Sequence, residues 1–198
     1  MNLPNKLTLS RAILTPVFMA VMLIGAIPFN YTIALALFVI ASLTDMLDGK
    51  IARSRGLVTN FGKFLDPVAD KMLTTAAILG FMIVLPTDNL KIQMTVITFI
   101  TLFREFVVLS VRLISVSSEK KRVIAANIWG KLKTVTQMAS IILGLFAYSV
   151  KEIVPAAEQA FGIMITAFIV VAWIGAGFTV ISGAIYLYES RDVIDSSK

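Results

Sequence analysis

The sequence predicts an all-α polytopic membrane protein with six transmembrane helices and a short N-terminal interfacial segment, forming one integral membrane domain over residues 1–198. Three observations carry this. The chain is 58% hydrophobic, with a mean hydropathy of +0.87. Only 15% of it is charged, where a soluble domain carries about a quarter. Apolar segments approaching the ~20 residues that cross a bilayer recur six times.

The stretch PNKLTLSR (residues 4–11) reads as an amphipathic lead-in at the interface, or equally as a polar cap with positive anchors. The first apolar segment covers 12–29, behind Lys6 and Arg11. It could pass for a signal peptide, but no secreted domain follows and the apolar segments continue. The remaining spans fall at about 31–53, 66–85, 91–113, 128–150 and 161–188, and DVIDSSK at the C-terminus is expected to fray. With both termini inside, Lys91 and Lys151 are the only two of 18 Lys/Arg on the outer side. The rest cluster in the N-terminal segment, around the second and third helices, in SSEKKR (117–122) and in the tail. Positive residues favour the cytoplasmic side, so both termini and any site there face the cytoplasm, as in a bacterial cytoplasmic membrane. The net charge of +6 then belongs to loops facing an anionic leaflet, not to nucleic-acid binding.

The uncharged runs at 30–44, 72–87, 92–103 and 134–150 all fall short of ~20 residues, and in each the charges begin at the cytoplasmic end. Charges inside a membrane segment face a protein interior or a water-filled cavity. Four helices becoming polar at one depth predict a polar cavity open to the cytoplasm and roofed by apolar helix halves.

The densest charge lies in DMLDGKIARSRGLVTNFGKFLDPVADK (45–71). Asp45 and Asp48 are three apart and share a helix face, and Asp66 and Asp70, four apart, share another. Gly56 and Gly62 fall between the pairs, where a turn is expected, so that a tight hairpin brings the pairs together. Four close carboxylates cannot all stay ionised without cations. Oxygen-only ligands favour hard ions such as Mg²⁺, Mn²⁺ or Ca²⁺, and two ions could fit, as in sites that stabilise phosphoryl displacement. Each aspartate taken singly also has a structural reading. Asp66 before Pro67 could cap a helix, and Asp45 or Asp48 could pair with Lys50 or Arg53. The chain has no cysteine and no histidine, which excludes disulfides, thiolate chemistry and Ser–His or Cys–His nucleophiles. A general base must be a carboxylate or a lysine.

The spacing Asp45-x2-Asp48-Gly49-x2-Ala52-Arg53-x8-Gly62-x3-Asp66-x3-Asp70 resembles the signature of the CDP-alcohol phosphatidyltransferases at every position. The resemblance implies a six-helix membrane enzyme, usually a homodimer, that moves a phosphatidyl group from CDP-diacylglycerol to an alcohol and releases CMP. It implies that Asp45, Asp48, Asp66 and Asp70 hold two divalent cations, Mg²⁺ or Mn²⁺, with Asp70 also the base. Gly49, Ala52 and Arg53 would line the CDP site, the small residues admitting the nucleotide and the guanidinium forking onto phosphate. Thr8, Gly62 and Lys71 are placed around CDP with them.

Three looser stretches bear on the acceptor: PNKLTLSR, FREFVVLSVR with Arg104, Glu105 and Arg112, and GKLKT with Lys131 and Lys133. Structurally, Glu105 could pair with Arg112, seven residues on, leaving Arg104 for a helix end, and either lysine could snorkel. Together Arg104, Arg112, Lys131 and Lys133 supply more positive charge than a neutral acceptor needs, which suits an acceptor with its own phosphate. The same stretches resemble the phosphatidylglycerophosphate synthase branch of the family, over most of residues 1–140, while the last helix is generic. That branch implies sn-glycerol 3-phosphate as acceptor, its phosphate held by Arg112, Lys131 and Lys133, with Arg104 less central. Rival readings are a family member using serine, inositol phosphate or phosphatidylglycerol, and a divalent-cation transporter. Against the transporter, the carboxylates lie toward the cytoplasmic ends and not at the midplane.

Overall fold

A computed structural model describes the backbone of residues 3–54, 60–117 and 128–195, and within them the side chains of 8–44, 68–69, 71–111 and 128–191. Six helices account for the described chain: α1 Leu3–Leu23, α2 Asn30–Ser54, α3 Asn60–Val84, α4 Asp88–Ser117, α5 Ile128–Ile153 and α6 Glu158–Asp195. No strand occurs among the described residues.

The packing closes a ring. α1 lies between α2 and α3, α3 continues to α4, α4 to α6, α6 to α5, and α5 returns to α2. A contact between α3 and α5 crosses the ring. The core along its axis is aromatic and aliphatic, with Phe18, Phe38, Phe81, Leu145 and Phe168 shielded from outside. Phe81 and Phe168 sit with ring centroids 4.6 Å apart, over Gly144. A Cβ at Gly144 would lie 2.6 Å from Phe81 Cζ and 3.1 Å from Phe168 Cδ2, so only glycine lets α5 approach these rings.

The outward surface is apolar. Phe99, Phe103 and Phe106 of α4, and Ile163, Val170 and Val180 of α6, are exposed. Such a surface suits lipid and would drive association in water. Among the described residues, two helical segments are long and apolar enough to cross a membrane, Asp88–Val111 and Glu158–Arg191. The apolar parts of α1, α2 and α3 are shorter, at Thr8–Leu23, Asn30–Thr44 and Lys71–Val84.

Several boundaries differ from expectation. PNKLTLSR forms no separate element: α1 is continuous from Leu3, with Pro4 in its first turn, where the missing N–H costs nothing. α1 ends at Leu23 and not at Phe29, since the Gly25–Pro28 region turns the chain and Phe29 adopts φ 55°. α3 begins six residues before the predicted start. Gly62 is therefore helical and not part of the turn, and Asp66 lies inside the helix, which removes the N-cap reading. Gly56 lies outside the described residues. α6 continues to Asp195, so residues 192–195 extend the last helix instead of fraying.

The end of the ring away from the charged segment is pinned by one carboxylate. Glu152 of α5 accepts from the Tyr31 and Thr32 amides at 3.1 and 3.0 Å, and from the Thr32 hydroxyl at 3.0 Å. These amides belong to the first turn of α2, which has no intrahelical acceptors and carries the positive end of the helix dipole. Tyr148 adds a hydrogen bond to the Val84 carbonyl at 2.6 Å, tying α5 to the end of α3.

Candidate active site

The opposite end gathers the starts of α1, α3 and α5 and the ends of α2, α4 and α6. The alternating direction of six consecutive helices brings these together. Asp45, Asp48, Gly49, Ala52 and Arg53 lie in the last turns of α2, and Gly62, Asp66 and Asp70 in the first half of α3. Their side chains, and that of Arg112 in α4, lie outside the described residues. Among the described residues, no group of three His, Cys, Asp or Glu is disposed to hold a metal. α2 and α3 both pack on α1 and on α5, which fixes the two aspartate-bearing helices at the same end of the ring. The four carboxylates fit a hard divalent cation by donor chemistry, since all are oxygen ligands and the chain has neither cysteine nor histidine.

At the start of α1, Thr8 and Arg11 are both buried, and the Thr15 hydroxyl donates to the Arg11 carbonyl at 3.0 Å. Thr8, placed beside CDP by the sequence, thus sits inside the bundle and not on an interfacial segment.

Three of the described cations meet on Glu105. Lys71 of α3 pairs with Glu105 Oε2, and Lys133 of α5 donates to Oε1. Arg104 Nη1 reaches the same Oε1 at 3.3 Å, while Arg104 Nη2 donates to the Ser182 hydroxyl of α6 at 3.0 Å. A Cβ at Gly183 would lie 3.1 Å from Arg104 Cγ, so the glycine lets the arginine stem lie against α6. Lys133 has a side chain only 8% exposed, whereas that of Lys71 is 49% exposed. Lys131, two positions earlier on α5, is exposed.

The structure therefore brings together Lys71, assigned to CDP from the sequence, with Arg104 and Lys133, assigned to the acceptor. The described partners of Glu105 come from α3 and α5 and from its neighbour Arg104, while the expected pairing with Arg112 falls on a side chain outside the described residues. Arg104 is held by Glu105 and Ser182, and its Nη2 lies 3.9 Å from where a Cβ at Gly130, in the first turn of α5, would stand. Ser182 and Gly183 had no signal beyond being small residues in an apolar helix. Glu105 did have one, as a carboxylate inside an apolar segment of a cation-rich end.

Beside this cluster runs a groove of about 640 Å³ between α1, α3 and α4. Thr15, Met19, Met72, Leu79 and Leu109 line its apolar length, and Lys71, Arg104 and Glu105 its charged end. An apolar surface leading into fixed charge is what a reaction between a lipid and a water-soluble anion requires.

A ring of six helices with an apolar exterior and a cation cluster at one end suits a membrane-associated protein that binds anionic groups. The CDP-alcohol phosphatidyltransferase family model matches residues 1–181, and the chain belongs to that family. Enzymes of this family are divalent-metal dependent and membrane-associated. The chain is 38% identical, over 209 aligned residues covering 99% of it and 98% of the relative, to the CDP-diacylglycerol–glycerol-3-phosphate 3-phosphatidyltransferase of Bacillus subtilis. A protein of the same name from Rickettsia bellii is 35% identical over 189 residues, 93% of each chain. The cardiolipin synthase (CMP-forming) of Oryza sativa is 32% identical over 197 residues, covering 94% of this chain and 56% of that protein.

Proposed function

We propose that the protein is a transferase that moves the phosphatidyl group of CDP-diacylglycerol to sn-glycerol 3-phosphate, giving phosphatidylglycerophosphate and CMP. The observation that carries the acceptor assignment is the cluster of Lys71, Arg104 and Lys133 at the end of the ring that carries the four aspartates. Like charges are gathered there at a cost that a bound phosphate offsets.

In this reading Asp45, Asp48, Asp66 and Asp70 hold two divalent cations, Mg²⁺ or Mn²⁺. When bound, these neutralise the diphosphate and the charge developing on departing CMP. Thr8, Gly49, Ala52, Arg53 and Gly62 surround CDP, and Lys71 lies between CDP and the acceptor. Arg104, Arg112, Lys131 and Lys133 hold the acceptor phosphate, with Lys133 central. The acceptor hydroxyl attacks the phosphatidyl phosphorus, its proton passes to Asp70, and the bond to CMP breaks. Direct attack needs no enzyme nucleophile, which suits a chain without cysteine or histidine. The six helices span a bacterial cytoplasmic membrane with this site and both termini at the cytoplasmic face, and the enzyme works as a homodimer. The diacyl tails then stay in the bilayer while the headgroup meets the soluble substrate.

The test is incorporation of labelled glycerol 3-phosphate into organic-extractable lipid by the purified protein with CDP-diacylglycerol. The expected product is phosphatidylglycerophosphate. Lipid product formed only with serine, inositol phosphate or phosphatidylglycerol would keep the family and overturn the acceptor.

A further inference from the structure

Glu105 is a single carboxylate shared by cations from three helices: Lys71 of α3, Arg104 of α4 and Lys133 of α5. We propose that Glu105 is a positioning residue whose carboxylate gathers these three cations into one site for a dianionic phosphate monoester. The inference rests on the acceptor reading above and assigns the residue that organises that site.

The physical case begins with repulsion. Like charges a few ångströms apart repel strongly where water is partly excluded, so three cations in a partly buried cluster do not stay together unaided. Glu105 is 15% exposed and sits between them. Lys133 cannot turn its charge to water, because its side chain is 8% exposed, whereas Lys71 is half-exposed and can. Loss of the carboxylate therefore falls mainly on Lys133. Bound to Glu105, each ammonium uses one of three donors and keeps the others for a ligand. Arg104 is fixed at Nη1 by Glu105 and at Nη2 by Ser182, and its buried Nε meets no acceptor among the described residues. Among the described side chains of the cluster, three cations less one carboxylate leave two positive charges. A phosphate monoester carries about −1.5 to −2 at pH 7, which matches them.

A bridge that merely joined three helices would stabilise the bundle without changing acceptor recognition, and kinetics separate the two roles. KM for glycerol 3-phosphate and for CDP-diacylglycerol, and the thermal midpoint, are to be measured for the wild type, Glu105→Gln, Lys133→Ala and the double variant. Glu105→Gln is expected to raise the acceptor KM about tenfold or more, the equivalent of one charge-assisted hydrogen bond, while the lipid KM changes less than about twofold. The double variant is expected to fall well short of the product of the single effects, since both substitutions disable the same ammonium. An unchanged acceptor KM in Glu105→Gln, or a lowered midpoint with both KM values intact, would overturn the proposal. Fully multiplicative effects would overturn it as well. Should Glu105→Gln not fold, Glu105→Asp keeps the charge but shortens its reach, and it is expected to raise the acceptor KM by a smaller factor. An unchanged value there has the same negative meaning. A wild type that ignores glycerol 3-phosphate but uses another alcohol would refute the acceptor reading itself, a result visible before any variant is made.

Discussion

Asp70 lies in α3 four residues after Asp66 and directly before Lys71, whose ammonium rests on Glu105. One helix thus carries the proposed base and a cation of the acceptor cluster in consecutive positions. Asp70→Asn keeps the size and removes the charge, so it is expected to abolish CMP release, and near-normal turnover in that variant would end its role as base and ligand. At this scale the sequence made the aspartate set legible, because spacings of three and four place carboxylates on one helical face. It also placed Arg104 and Lys133 in one group, and the structure brings them to the same carboxylate. The sequence did not reveal this common counter-ion. The spacing of seven to Arg112 suggested a partner within α4, whereas Lys71 and Lys133 reach Glu105 from α3 and α5 by tertiary packing. Ser182, which holds Arg104, was hidden for the same reason, since no local pattern links α6 to α4.

Among the elements, all six helices were legible from their apolar runs, and the errors lie at their ends. The predicted spans followed hydropathy, so they began where charge stopped. The helices themselves run on into polar sequence, as α3 does from Asn60 and α4 to Ser117. Backbone hydrogen bonding continues irrespective of side-chain polarity until a breaker intervenes, and neither Gly62 nor Pro67 ends α3. The polar turns are the ones that carry the site, which is why hydropathy alone truncates it. Helix packing in lipid relies on small residues where helices approach closely, and Gly144 of α5 is such a point. Gly144→Ala would press a methyl group into the Phe81 and Phe168 rings. Overpacking of this kind costs about 1–3 kcal/mol, so the thermal midpoint in detergent is expected to fall by several degrees. An unchanged midpoint would mean that the rings yield freely.

The described helices form a ring with one end pinned by Glu152 and the other holding the cation cluster on Glu105, where the proposed site lies. The orientation proposed from the charge bias is directly testable, because the chain has no cysteine. Lys91→Cys in intact cells is expected to react with an impermeant maleimide, and Ser118→Cys only after permeabilisation. The reverse pattern would place the site on the outer side, away from a cytoplasmic phosphorylated alcohol. The central claim is that this end joins a lipid-borne CDP headgroup to an acceptor that brings its own phosphate. Its most direct test is the rate of CMP release by purified protein with CDP-diacylglycerol and Mg²⁺ or Mn²⁺, measured as glycerol 3-phosphate is varied. The account predicts release that saturates with glycerol 3-phosphate and stops when the metal is chelated. Release that is indifferent to glycerol 3-phosphate, or undiminished by chelation, would contradict it.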